Sequence, residues 1–92
     1  MSEFGIRYRI EYEEGVQDQL AKFPKNIQAR ITKAIKERLS FAPNEYGKPL
    51  TKEWKDHRRL RIGDFRVIYK VFEDLVVVFI VEIDHRRLIY KD

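Results

Sequence analysis

Apolar and charged residues alternate along the segment IRYRIEY, residues 6–12. The four apolar residues, from Ile6 to Tyr12, fall on one side of an extended chain, and the three charged residues fall on the other. A period of two predicts a β-strand with one buried face. The first element of the chain is therefore expected to be a strand that packs on a core.

The apolar period becomes helical after this strand. Val16, Leu20 and Phe23 follow one another at helical spacing, which predicts a short helix. Pro24 closes this helix. A longer helix is predicted from Pro24 or Asn26 to Ala42-Pro43. The two helices together form a predicted αα-hairpin. The apolar stripe of the longer helix consists of Ile27, Ile31, Ala34, Ile35 and Leu39.

The remaining residues divide into a loop and three strands. Residues 42–56 contain two prolines, one glycine and no periodicity, which predicts a loop. Strands are predicted at 57–62, 65–72 and 75–83, the last two joined at Glu73-Asp74. The third strand is apolar at nearly every position, as expected for a central strand covered on both faces.

The order of these elements predicts the fold class. A strand, two helices and three antiparallel strands form an α+β domain with both helices packed on one face of the sheet. We find no repeat or linker, so residues 1–92 are interpreted as a single domain. A chain of 92 residues is near the lower end of what buries its own core.

The strongest turn signal is Gly63-Asp64, between two runs of β-forming residues. A two-residue loop would pair Arg61 with Arg66. Because directly opposed residues share a face of the sheet, the apolar residues of this hairpin are expected to face the helices. The opposite face, here called the arginine face, is left for solvent or a ligand. The side chains predicted on the arginine face are His57, Arg59, Arg61, Arg66 and Lys70.

The arginine face suggests a polyanionic ligand. Opposed arginines repel each other, whereas guanidinium groups match the oxygens of a phosphate. The net charge of +4 is modest, but residues 54–70, which include Lys55, hold six Lys and Arg residues against two acidic residues. The alternative is a solvated face whose arginines are neutralised by Glu82 or Asp84.

Composition argues against several other classes of protein. There is no cysteine, which excludes disulfides and thiolate metal sites and fits a reducing compartment such as the cytoplasm. The N-terminus lacks the apolar core of a signal peptide, and the apolar run at 75–81 is too short to span a bilayer. Two histidines without ligand spacing and four scattered glycines predict no metal or cofactor.

Several single residues have two interpretations each. Because an imidazole is the usual side chain for proton transfer near neutral pH, His57 and His85 are candidates for acid–base chemistry or RNA contact, or they are polar surface at strand ends. Tyr90 in the tail either stacks on a base or carries a proton, or it extends the last strand. Trp54 is expected to anchor the loop to the edge of the sheet, and the alternative is that it stacks on a base.

Two stretches together resemble the RelE/ParE superfamily of bacterial and archaeal toxins, and its RelE branch in particular. They are HRRLRIGDFRVIYKV, residues 57–71, and VVVFIVEIDHRRLIY, residues 76–90. The first contains the pattern R-x-R-x-G-D-[YF]-R-x-x-Y, and the second ends in H-R-x-x-[IV]-Y. The resemblance covers almost the whole chain and implies the same RelE-like fold.

The resemblance implies the toxin of a type II toxin–antitoxin system, partnered by a cognate antitoxin. Its activity would be that of a metal-independent endoribonuclease that cleaves mRNA in the ribosomal A site by attack of the 2′-hydroxyl. By matching position, Arg59 and Arg66 would stabilise the transition state and Arg86 the leaving group. Tyr90 would orient or deprotonate the 2′-hydroxyl. The residues expected to contact RNA are Lys55, His57, Arg61, Lys70 and His85.

The chain departs from the family pattern at His57, where some relatives carry a lysine. The histidine either replaces that lysine as a titratable group or leaves the role unfilled. Only three residues separate Arg86 from Tyr90, fewer than in some of the nucleases. Since the same fold also serves inhibitors of DNA gyrase, gyrase inhibition and non-catalytic RNA binding stay open as alternatives. The antitoxin is expected to cover or distort the arginine face or to displace the tail.

Overall fold

A computed structural model of the protein describes residues 5–85. These residues form one five-stranded sheet and a layer of helices, which confirms the predicted α+β class. The helices are α1 (Val16–Ala21), α2 (Lys25–Ala34), which continues into a π-helical turn at Ile35–Leu39, and α3 (Pro43–Tyr46). The strands are β1 (Arg9–Tyr12), β2 (Lys48–Pro49), β3 (Arg58–Ile62), β4 (Phe65–Phe72) and β5 (Val77–His85).

The strands lie in the order β1-β5-β4-β3-β2. Strand β1 runs parallel to β5, and the other neighbours are antiparallel. The three predicted C-terminal strands are present within two residues of their expected ends. Strand β5 lies inside the sheet, as predicted. Val78, Ile80 and Ile83 of β5 belong to the core, and Val77, which alternates to the other face, is buried as well.

The core lies between the helices and one face of the sheet. The hairpin residues that were expected to face the helices do so, because Leu60, Ile62, Phe65, Val67 and Tyr69 are buried and Val71 packs against them. The helices contribute Val16, Leu20, Ile31, Ala34, Ile35 and Leu39 to the same core.

Residues 42–56 are not the structureless loop that was predicted. They contain α3, β2 and a 3₁₀ turn at Lys52–Trp54. The Tyr69 hydroxyl donates a 2.6 Å hydrogen bond to the Pro43 carbonyl, and the Arg58 guanidinium donates to the carbonyls of Asn44 and Gly47. These bonds come from residues more than ten positions away, so no local pattern in the sequence reveals them.

A β-bulge in β5 decides which face its acidic residues occupy. Opposite the adjacent residues Ile68 and Tyr69 of β4, β5 places Glu82 and Ile80, so Val81 is the extra residue. If Val81 were paired regularly and there were no bulge, strict alternation would put Glu82 on the same face as Ile80, which is buried in the core. With the bulge, Ile83 enters the core and Glu82 turns to the arginine face.

Candidate functional site

The β3–β4 hairpin has the register that its turn predicts. Arg61 is paired with Arg66, and Arg59 is paired with Ile68. Since Leu60 and Ile62 face the core, Arg59 and Arg61 project from the opposite side of β3, together with Arg66 from β4. The three arginines therefore share the arginine face, as predicted. The described helices pack on the other side of the sheet.

The three arginines differ in how far solvent reaches them. Arg61 is exposed, Arg59 is half-buried, and Arg66 retains only 8% of its accessible surface. A guanidinium buried to this extent has few accessible rotamers, because close packing fixes its position. Arg66 is therefore the most rigidly held cation of the arginine face.

Two carboxylates of β5 lie beside the arginines. Asp84 is paired with Arg66, and Glu82 is paired with Ile68, whose other neighbour is Arg59. Burial and the charge of Asp84 raise the pKa of Glu82, whereas the charge of Arg66 acts in the opposite direction. Part of the positive charge is thus balanced, which is the arrangement that the neutralised alternative required.

A further cation joins the arginine face from the edge of the sheet. Lys48 in β2 is paired with Arg59 in β3. Because directly opposed residues share a face, Lys48 extends the row of basic side chains beyond β3. Sequence reasoning missed this residue because it lay in the segment interpreted as a loop.

Lys70 lies on the arginine face but far from the arginines. It is four residues from Arg66 along β4, a distance of about 14 Å in an extended strand. Its ammonium group lies 5.1 Å from the centre of the Phe72 ring. Lys70 therefore belongs to the opposite end of the same sheet face.

The two histidines are not brought together. His57 lies directly before β3, with its ring centre 5.2 Å from the Trp54 ring. His85 is paired with Phe65, and their ring centres are 5.1 Å apart. Since Phe65 faces the helices, His85 is on the side of the sheet opposite the arginine face.

The other predicted site residues are placed less closely. Lys55 is exposed directly after the 3₁₀ turn, and within residues 5–85 no contact fixes its side chain on the arginine face. Trp54, expected to anchor this segment, contacts the His57 ring. Arg86 and Tyr90 lie outside the described residues.

Comparison with known proteins identifies the family. Residues 10–90 match the family model described as "ParE toxin of type II toxin-antitoxin system, parDE". The chain belongs to the RelE/ParE superfamily of toxins. It is 30% identical over 84 residues to Toxin RelG of Mycobacterium tuberculosis, covering 91% of this chain and 97% of that protein.

Solved structures of RelE-type toxins have the same fold. The toxin–antitoxin complex RelBE2 from Mycobacterium tuberculosis has a chain that is 28% identical, with a TM-score of 0.83 over 88% of this chain and 93% of that one. The isolated E. coli RelE toxin is 20% identical, with a TM-score of 0.70 over 85% of this chain and 83% of that one. The predicted superfamily and the RelE-like fold are therefore confirmed.

This RelE/ParE toxin also has a wide groove that sequence reasoning missed. The groove measures about 770 Å³ and lies between β1 and α2. Ile10 and Tyr12 line it from β1, and Lys33 and Lys36 line it from α2. Its apolar floor and basic rim would suit an acidic amphipathic segment.

Residues 5–85 contain neither a metal-binding cluster nor a membrane-spanning helix. No group of three or more His, Asp and Glu side chains in this range could hold a metal ion. Every helix in the same range falls short of the length and apolarity that crossing a bilayer requires.

Proposed function

We propose that this RelE/ParE toxin is a metal-independent endoribonuclease that cleaves mRNA in the A site of the ribosome and thereby stops translation in the cytoplasm. The observation that carries the proposal is the convergence of Arg59, Arg61 and Arg66 on one face of the sheet. Two of these residues come from β3 and one from β4, so the hydrogen-bonded register holds them at fixed spacing.

The proposed reaction is attack by a ribose 2′-oxygen on the adjacent phosphorus. The bond from phosphorus to the 5′-oxygen of the next nucleotide breaks, and the products are a 2′,3′-cyclic phosphate and a 5′-hydroxyl. Negative charge on the phosphoryl oxygens increases in the transition state. Preorganised donors aimed at such charge each contribute about 3–4 kcal/mol when measured by removal.

In this proposal Arg66 is the principal donor to the transition state. Its burial between β3 and β5 limits its reorganisation during the reaction, and its guanidinium presents a planar fork to the phosphoryl oxygens. Arg59 has the same role from β3, and Arg61 positions the RNA backbone. By resemblance to the family, Arg86 would stabilise the leaving oxygen. Tyr90 would orient or deprotonate the 2′-hydroxyl.

The RNA-contact role proposed for the other basic residues is supported unevenly. His57 precedes β3 directly, close in sequence to Arg59, and Lys55 is exposed beside it. Lys70 lies at the far end of the arginine face, and His85 lies on the helix side. We therefore expect His57 and Lys55 to affect RNA binding more than Lys70 or His85.

Inducible expression tests the proposed function in cells. The wild-type chain should arrest growth, and new 5′ ends should appear inside translated messages. Arg66→Ala should abolish both, and Arg66→Lys should weaken both, because lysine keeps the charge but loses the bidentate fork. Arg9→Ala is the matched control, since Arg9 is exposed and bonds to Glu11 at the far end of the sheet. Growth arrest without new 5′ ends would contradict the proposal.

Inhibition of DNA gyrase is the second candidate function. It is favoured by one observation, the match of residues 10–90 to a model described as a ParE toxin. Under this alternative, purified protein would inhibit supercoiling by gyrase, and Arg66→Lys would still inhibit it. Failure to inhibit gyrase, together with cleaved messages, would exclude it.

A cognate antitoxin is the proposed protein partner. The solved complexes RelBE2 and E. coli RelBE each pair a toxin with an antitoxin, which supports such a partner here. From the sequence, the antitoxin is expected to cover or distort the arginine face or to displace the tail, and the groove between β1 and α2 is a further candidate surface. Binding of purified antitoxin to Arg61→Glu and to Lys36→Glu would distinguish these surfaces. The variant that binds the antitoxin more weakly identifies the surface that the antitoxin covers.

A further inference from the structure

The outer edge of β3 is only partly covered. Strand β2 pairs with Arg58 and Arg59, and among the described strands none pairs with the rest of this edge. A groove of about 300 Å³ lies along it, here called the edge groove. The edge groove is lined by Arg38, Tyr46, Lys48, Arg59, Leu60 and Arg61.

Among the described residues, the ionisable side chains that line the edge groove are basic, apart from the tyrosine hydroxyl. A neighbouring groove of about 320 Å³ shares Arg38 and Arg61 with it and adds Arg30 and Lys33 from α2, with Glu37 as the acidic member. The basic surface therefore continues from the arginine face, over the edge of β3, onto the helical layer. The carboxylates of the arginine face are in β5, on the side of β4 away from this edge.

Tyr46 gives the edge groove an aromatic surface. It belongs to α3 and is 54% exposed, so its ring is accessible to a ligand. The guanidinium carbon of Arg38 lies 5.9 Å from the centre of its ring. An exposed ring beside cations is the combination that binds single-stranded nucleic acid, since bases stack on the ring and phosphates contact the cations.

We propose that the edge groove binds a single-stranded RNA segment continuous with the segment on the arginine face, with a base stacked on Tyr46 and a phosphate held by Arg38. The inference rests on the proposed nuclease function and deepens it. Arg59 and Arg61 belong to both surfaces, so one RNA strand can pass from the first to the second without leaving basic side chains. The edge groove thus extends the contact beyond the nucleotides at the cleavage site.

An acidic protein segment fits the edge groove less well. Among residues 5–85 its apolar lining consists of Leu60 and the Tyr46 ring, whereas an amphipathic helix needs several apolar anchors along one face. Leu60 is itself 3% exposed and offers almost no surface. The mixture of guanidinium groups and one exposed ring favours RNA.

Equilibrium binding of a short, fluorescein-labelled single-stranded RNA to the purified chain tests the inference. Tyr46→Ala should weaken binding about tenfold or more, and Tyr46→Phe should retain it, since stacking needs the ring and not the hydroxyl. Arg38→Ala should reduce the slope of log affinity against log salt by about 0.7, the value for one phosphate contact on a single strand. Arg9→Ala, an exposed arginine outside the edge groove, should leave both quantities unchanged.

The outcomes separate this inference from the proposed function. Equal RNA affinity for Tyr46→Ala and wild type, or no RNA binding by wild type, would overturn the inference whether or not the protein cleaves mRNA. Weaker binding by Tyr46→Ala, with no cleavage on ribosomes by wild type, would support the edge groove and contradict the nuclease. Loss of antitoxin binding in Tyr46→Ala with unchanged RNA affinity would assign the groove to the antitoxin and overturn the inference.

Discussion

Arg66 combines burial with the role in phosphate recognition that we propose for it. Arg66 retains 8% of its accessible surface, an isolated buried charge would be costly, and the carboxylates of Glu82 and Asp84 lie on the neighbouring strand. Removal of the cation would leave those carboxylates close together without their counter-charge. Arg66→Lys is therefore a cleaner probe of phosphate recognition than Arg66→Ala.

Glu82→Gln should stabilise the protein more at pH 7 than at pH 4. Burial and the charge of Asp84 raise the pKa of Glu82 in the folded state above its usual value of 4.5. The contribution of Glu82 to stability is therefore fully present below the unfolded-state pKa and is lost as pH rises through the folded-state pKa. Glutamine cannot ionise and avoids this loss.

Urea unfolding of wild type and Glu82→Gln at the two pH values measures the difference. Glu73, whose pKa is lowered by hydrogen bonds from Asn44 and Tyr8, contributes stability that is lost as pH falls. Glu73 is present in both proteins, so its contribution cancels when wild type is compared with Glu82→Gln. If the unfolding free energies of wild type and Glu82→Gln differed by the same amount at pH 4 and pH 7, the raised pKa of Glu82 would be contradicted.

Gly47→Ala should destabilise the protein by about 1–3 kcal/mol, the usual cost of overpacking a filled site. A Cβ atom at Gly47 would overlap the hydroxyl of Tyr69, which is fully buried and bonded to the Pro43 carbonyl. Tyr69→Phe removes the oxygen atom that is overlapped most closely. Chemical denaturation of the single and double variants should therefore show that Gly47→Ala costs less in the Tyr69→Phe background. Equal costs in both backgrounds would contradict this cause.

At the level of elements, the hairpin was predictable and the segment before it was not. Gly63 adopts the positive φ of 61° that its turn requires, and this turn sets the whole register of β3 and β4. Strand β4 accordingly has the predicted bounds, Phe65–Phe72. The conformation of residues 43–49 depends instead on Arg58 and Tyr69, which become its neighbours only after the sheet has formed.

Arg58→Ala should loosen residues 43–49 while β4 and β5 stay ordered. The Arg58 guanidinium donates hydrogen bonds to the carbonyls of Asn44 and Gly47, and each bond from a charged donor contributes about 1.5–3 kcal/mol. Amide hydrogen exchange should lose protection in residues 43–49, and Arg9→Ala should show the wild-type pattern. Unchanged protection of residues 43–49 in Arg58→Ala would refute the role given to these bonds.

The bulge at Val81 explains why only part of the candidate site followed from the sequence. Pairing across Gly63-Asp64 placed all three arginines correctly, because alternation is unbroken in β3 and β4. In β5 one extra residue reverses the alternation, so the positions of Glu82 and His85 depended on a feature that the apolar run VVVFIV does not reveal. Such a run contains too few polar residues to fix a register.

Over the whole molecule, the basic surfaces are continuous although the net charge is only +4. The arginine face, Lys48 at the edge of the sheet and the cations of the edge groove adjoin one another around β3. A continuous basic surface attracts a polyanion at long range and favours strong dependence of affinity on salt. This distribution supports RNA as the ligand at the scale of the molecule, as the guanidinium geometry does at the scale of residues.

Cleavage of a defined mRNA on purified ribosomes is the measurement that tests the central claim most directly. Wild type should produce cuts at the A-site codon when a ribosome is present. Arg61→Ala, which replaces an exposed residue, and Arg66→Lys, which keeps the charge, should each slow cleavage by about tenfold or more. Arg9→Ala should cleave at the wild-type rate. Intact mRNA with folded wild-type protein, or equal cleavage rates for all four proteins, would contradict the nuclease assigned to the arginine face.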